Sequence, residues 1–246
     1  WNGGFVLFCF IATFLSITGV TVLSFFVVKR EERGEFVQGA YRSSAAILGI
    51  AFIQNIYGTS GMAPLMIIGT VPLYNAFAVI VLSLLKPGQR KMDKALLQKT
   101  LKGIVTNPII LGIAAGFVWA ILKIPQPEIL QKTVKNMAVL ATPLGLMAMG
   151  ASFEGKKALG KLKPTLIASA LKLVVLAAIF LPIAVWLGYR ESELVAILVM
   201  LGSATTVSSF VMARNMGHEG ILTSSIVMVT TLCSAFTLTG WLFLLK

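Results

Sequence analysis

The sequence predicts an all-α, polytopic membrane protein, and three observations predict it. First, 57% of the 246 residues are hydrophobic and 12% are charged, against roughly 45–50% and 25% in a soluble domain. Second, the apolar residues gather into eight runs, most of them near the roughly 20 residues that a helix needs to cross a hydrocarbon core. Third, Lys and Arg concentrate in alternate gaps between the runs, as happens when basic loops are retained on one side of a bilayer. Little chain remains for a soluble domain.

The runs occupy 3–28, 44–57, 62–85, 103–122, 138–153, 165–188, 194–213 and 221–245. The first is unbroken. The second is short, with Gly49 as its weak point and with Gln54 and Asn55 near its end. Uncharged donors and acceptors at membrane depth face a bundle interior or a cavity, or else bond a neighbouring helix. Asn75 in the third run is read the same way. Gly112 and Gly116 in the fourth are four apart, a spacing that favours close helix packing. The fifth is short and contains Pro143. The sixth holds Lys172, the single charge inside any run, about 10 Å from its basic end at 1.5 Å per residue. Its plain role is to snorkel back to the interface; attraction of an anion, or a part in coupling, is the alternative.

The seventh run carries Gly202, Ser203, Ala204, Thr205, Thr206, Val207, Ser208 and Ser209 in succession. These hydroxyls offer the backbone alternative hydrogen bonds, so the helix is expected to open there. Freed N–H and C=O groups must then be satisfied by protein, water or ligand, and the following half-helix attracts anions at its N-terminus. A continuous helix, with Ser and Thr bonded back one turn, remains open on sequence alone. The candidate substrate-binding residues are thus Gly49, Gln54, Asn55, Lys172, Ser203, Thr205, Thr206, Ser208 and Ser209.

The basic gaps at 29–42, 86–102 and 156–163, with Arg214, hold fifteen of the 21 Lys and Arg residues. They are assigned to the cytoplasmic side, which places both chain ends outside. The net charge of +12 is then a matter of orientation, and nucleic acid is excluded as a partner. His218, beside Glu219, reads as a solvated loop residue. Cys9 and Cys233 read as small buried hydrophobes, with no disulfide framework or metal site.

Shifting the chain by 159 residues places Gly58 on Gly217, Gly61 on Gly220, Ile67 on Ile226 and Phe77 on Phe236. The third run then pairs with the eighth, the second with the seventh and the first with the sixth. The fourth and fifth lack partners, so the intact protein is expected to carry two further spans upstream of Trp1. That arrangement is a five-plus-five inverted repeat, the signature of secondary transporters. The chain divides into 1–85, three spans of the first repeat; 86–102, a basic amphipathic linker on the inner membrane surface; and 103–246, the second repeat.

Tyr41-Arg42-Ser43 with Gly49, Asn107-Pro108-Ile109-Ile110, Pro143-Leu144 with Gly150-Ala151-Ser152, and Phe210-Val211-Met212-Ala213-Arg214 with Gly217 resemble the auxin efflux carrier family along nearly the whole chain. The resemblance implies ten spans, a scaffold with a transport domain, and two crossing helices that bracket an organic-anion site. Substrates such as malate, malonate or auxin-like acids follow by the same implication, as does a homodimer through scaffold helices. Members often carry a proline at each crossing; Ala51 and Ala204 stand there here, and Ser208 matches a common Asn.

The expected function is transport of a small organic anion across the cytoplasmic membrane; a non-transporting sensor or a channel-like facilitator is the alternative. No Asp or Glu falls within a run, so a carboxylate proton relay is not visible. No organic cofactor is implied, and coupling to H+ or Na+ stays open. An enzyme is excluded, because the runs offer no His, Asp or Glu to serve a nucleophile or hold a metal.

Overall fold

The structure is a computed structural model that describes residues 2–88, 98, 101–103, 105–106 and 108–245. The expected linker at 86–102 lies mostly outside the described residues, as does Asn107. In chain order the helices are α1 (Gly3–Val27), α2 (Arg33–Tyr41), α3 (Ala45–Tyr57), α4 (Ala63–Leu84), α5 (Pro108–Ile121), α6 (Glu128–Ala151), α7 (Gly155–Gly160), α8 (Leu162–Trp186), α9 (Glu191–Gly202), α10 (Ser208–Asn215) and α11 (Ile221–Leu245). Among the described residues five helices, α1, α4, α6, α8 and α11, are long and apolar enough to cross a membrane. The protein is therefore an all-α, multi-pass membrane protein.

These rods hold their form in apolar surroundings because their polar side chains are satisfied from within. Asn2 caps α1 by accepting from Phe5 N–H at 3.1 Å. Ser16, Thr18 and Thr21 each donate to the carbonyl four residues back, which leaves their methyl or methylene groups on the helix surface. α1 packs along α4, and Gly69 permits the approach: a Cβ there would lie 2.9 Å from both Val6 O and Cys9 Cβ. α8 packs on α9 and α11, and α2 lies between α1, α4, α8 and α11. This block contains most of the buried residues. α5 and α6 stand at its edge, α5 touching α4 and α6 touching α10.

Several sequence expectations change. The second run begins too late at 44: the helical path starts at Arg33, and α2 and α3 together make one interrupted helix. Gly49 is not its weak point. It sits inside α3, and the break falls at Arg42–Ser44 instead. Hydropathy hid α2 because Glu35, Gln38 and Arg42 lie in it or at its end, yet all three are buried. Buried polar groups at this depth are tolerated where protein satisfies them. Glu35 does this by accepting from Gly220 N–H and Thr223 N–H, both at 2.9 Å, and from the Thr223 hydroxyl at 3.1 Å. A carboxylate thus caps the N-terminus of α11, where the helix dipole favours it. The fifth run likewise starts earlier, at Glu128.

His218 is buried rather than solvated, with Nε2 2.9 Å from Leu82 O, and packs where a Cβ on Gly34 would clash with it. Cys9 is buried but Cys233 is exposed. A Cβ on Gly112 or Gly116 would meet nothing within 4 Å, so no close packing is seen there. At the basic end, Lys161 binds Glu219 at 2.7 Å and lies 3.8 Å from Glu32. The hydrogen bond and charge of Lys161 hold the Glu219 carboxyl below its ordinary value.

The 159-residue offset carries Gly3–Val27 onto Leu162–Trp186 end to end. Gly58, Gly61, Gly217 and Gly220, which it pairs, all take positive φ, from 46° to 83°. These are the positions where each interrupted crossing ends and turns into the next rod, and a side chain would be strained there.

Candidate functional site

Two interrupted helix pairs, α2–α3 and α9–α10, meet inside the block. In each, the first half-helix stops where one residue turns extended: Arg42 (φ −75°, ψ 129°) after α2, and Ser203 (φ −81°, ψ 164°) after α9. The seventh run is therefore open, as its hydroxyls suggested, over 203–207. The breaks touch directly. Ser44 N–H donates to Ala204 O at 3.0 Å, and the Thr205 hydroxyl donates to Gly39 O at 2.7 Å, which fills a carbonyl that α2 leaves unpaired. Thr205 N–H in turn donates to the Thr230 hydroxyl of α11 at 3.1 Å.

Tyr74, on α4, ties the breaks together. Its hydroxyl donates to Met200 O at 3.1 Å and accepts from Ser43 Oγ at 3.3 Å. Tyr41 adds a bond from its hydroxyl to Tyr74 O at 3.3 Å. Sequence reasoning passed over Tyr74 because a lone tyrosine in an apolar run carries no spacing signal.

A buried cation stands at each break, and only one of them bonds helix-end carbonyls. Lys172 does not snorkel: it is fully buried, and its Nζ donates to Leu201 O at 2.7 Å and Met200 O at 3.2 Å. These are final-turn carbonyls of α9, which lack helical partners and carry the negative end of the dipole. A single π-turn, Leu171–Val175, sets Lys172 in α8; such turns redirect a side chain at the cost of regular hydrogen bonding. Arg42 takes the equivalent place after α2. It donates to Asn75 Oδ1 at 2.6 Å and lies 2.7 Å from Met212 Sδ. Arg42 was assigned above to a cytoplasmic loop; it is buried at the break, and removing it leaves the basic bias of that side intact.

A pocket of about 460 Å³ opens beside the contact. Its wall includes Ser44, Thr142, Gly145, Thr205, Thr206, Ser208 and Thr231, with no charged side chain. Ser44 precedes α3 and Val207 precedes α10, and neither helix start has a side-chain cap. Both half-helices thus begin at the pocket wall with the positive ends of their dipoles. Gly145 lets α6 close the far side: a Cβ there would lie 2.9 Å from Val207 Cγ1.

Of the nine sequence candidates, Thr205, Thr206 and Ser208 line this pocket. Ser203 and Ser209 are buried beside it, each with a hydroxyl oxygen that lacks a hydrogen-bond partner. Lys172 lies behind the break and Gly49 lies in α3, where a Cβ would be 2.8 Å from Met66 Cε. Gln54 and Asn55 are exposed at the far end of α3 and face neither break. Ser44, Thr142, Gly145 and Thr231 were missed; only their tertiary neighbours mark them.

The profile of a family described as membrane transport protein matches residues 3–242. No curated protein matches the chain.

Proposed function

Because the chain belongs to the membrane transport protein family, the auxin efflux carrier family that its motifs resemble, we propose that it is a secondary transporter of small organic anions working by alternating access. The observation that carries this reading is the Ser44–Ala204 contact at 3.0 Å, where two broken crossings meet beside a pocket. Two half-helix N-termini at that wall amount to about one unit of positive charge, which suits one carboxylate group. Hydroxyls supply donors, and no carboxylate on the wall repels the solute. A monocarboxylate, or one end of a malate- or malonate-like dicarboxylate, fits this chemistry. The matched helix bounds and glycine turns at the 159-residue offset support an inverted repeat. Lys172 Nζ already occupies the end carbonyls of α9, and comparing sodium with choline buffers shows whether uptake needs Na+.

The test is purified protein in vesicles loaded with one unlabelled acid and offered the same acid labelled outside. Malate, malonate and indole acids are to be tried in sodium and choline buffers. Uptake with counterflow is expected for at least one acid. Binding without uptake would make the protein a sensor, and uptake without counterflow a facilitator; either result overturns the reading.

A further inference from the structure

A second concave surface lies apart from the crossing, between the outer faces of α1 and α4. It has a volume of about 520 Å³ and is almost wholly apolar along its length. Val22 and Phe25 form one wall and Phe77 and Leu84 the other. Thr18 and Thr21 also line it, but both hydroxyls are spent on their own helix, on Phe14 O and Ile17 O. The groove runs from Ile17 to Phe25, about 12 Å at 1.5 Å per residue, most of the roughly 15 Å depth of one leaflet.

At one end only, the lining changes to Arg30, Arg33 and Lys86. This is the end assigned to the cytoplasmic surface by the basic loops. Arg33 is held in place: its guanidinium stacks 4.5 Å over the Phe25 ring and donates to Phe25 O at 3.3 Å. Its Nε is buried with no acceptor. A fixed donor without an acceptor, above an apolar slot one leaflet deep, calls for an anion joined to a hydrocarbon chain.

We propose that this groove is a binding site for one anionic phospholipid, with an acyl chain between α1 and α4 and the phosphate at Arg33 and Lys86. Basic side chains at a membrane surface favour anionic lipid by about 1 kcal/mol each, or roughly fivefold per cation. The site is independent of the solute pocket and of the transport reading.

Native mass spectrometry of the purified full chain, titrated with phosphatidylglycerol or phosphatidylcholine of identical acyl chains, tests it. One phosphatidylglycerol is expected to bind with at least about tenfold preference. Arg33→Gln with Lys86→Gln should abolish the preference while leaving residual binding of both lipids. Val22→Trp, which fills the groove from an exposed position and keeps every cation, should displace both lipids without lowering Tm. Equal affinity for the two lipids, preference surviving the double variant, or binding surviving Val22→Trp would each overturn the proposal. So would glycerol phosphate competing as well as the whole lipid, because the apolar slot would then contribute nothing. A dimer that seals the groove without lipid counts against it equally.

Discussion

The two breaks solve one problem with different parts. Each leaves carbonyls unpaired at the end of a half-helix in a medium that cannot hydrogen-bond them, and the two are answered differently. After α2 the Thr205 hydroxyl fills Gly39 O, while Arg42, carried by the break itself, is pinned by Asn75. After α9 the end carbonyls go to Lys172, reached from α8 through a π-turn. Under the 159-residue offset, Lys172 falls on Thr13 and Arg42 on Leu201, so the two halves keep matched rods but unmatched charges. The first break is three residues long and tightly bonded. The second spans five residues, and four of its members line the pocket. The difference teaches that the interrupted shape is common to both halves, whereas most of the pocket wall supplied by the breaks comes from the second, the first giving Ser44 alone.

The largest expected effect comes from removing the borrowed cation. Lys172→Met leaves Leu201 O without its donor and Met200 O with the Tyr74 hydroxyl alone, and should cost about 2–3 kcal/mol, since hydrogen bonds to charged groups run at 1.5–3 kcal/mol. Thermal unfolding in detergent should show it, together with lost uptake. Lys172→Ala should regain part of its Tm in methylammonium but not in choline, while the wild type responds to neither. Arg42→Met should be comparably destabilising but gain nothing from methylammonium, because the guanidinium bonds a side-chain amide rather than helix-end carbonyls. Equal rescue of both variants would erase the contrast drawn here.

Gly145→Leu comes next. It places atoms where Val207 now stands and fills the pocket, so uptake should fall by at least tenfold. Tm should fall as well, because Gly145 is buried and a Cβ there already lies 2.9 Å from Val207 Cγ1. A variant that transports normally would remove the pocket from the solute's path. Thr205→Val strips the hydroxyl that joins the second break to Gly39 O and should cost about 1 kcal/mol, read as a modest Tm shift with reduced uptake. The smallest effect is expected of Gly49→Ala: the only clash is with the flexible end of Met66, so stability should stay within about 1 kcal/mol and uptake should persist. A collapse of uptake there would return Gly49 to the site.

The legible features were those that repeat or that depart from an apolar background. The hydroxyl cluster at 203–209 announced the second break because Ser and Thr compete for backbone bonds wherever they lie. The first break gave no such sign: Arg42 and Glu35 read as loop residues on any hydropathy scale, because such scales score the residue and not its partner. Gln54 and Asn55 failed in the opposite sense, as polar residues expected inside that lie exposed at the end of α3. Lys172 was noticed for its charge and misread in its direction, since a long stem reaches either an interface or a helix end.

The sequence by itself determined that this chain lies in a bilayer, that its basic residues gather in alternate gaps, and that one stretch repeats at an offset of 159. Those properties follow from composition and spacing, which water and lipid sort without reference to any contact. Only the tertiary structure decided where the first helix pair opens, that Lys172 closes the end of α9, and which hydroxyls share a pocket. The physical reason is that an unpaired carbonyl or a buried charge is stable only with a partner, and the partners here lie about 25 to 185 positions away along the chain, brought together by packing alone.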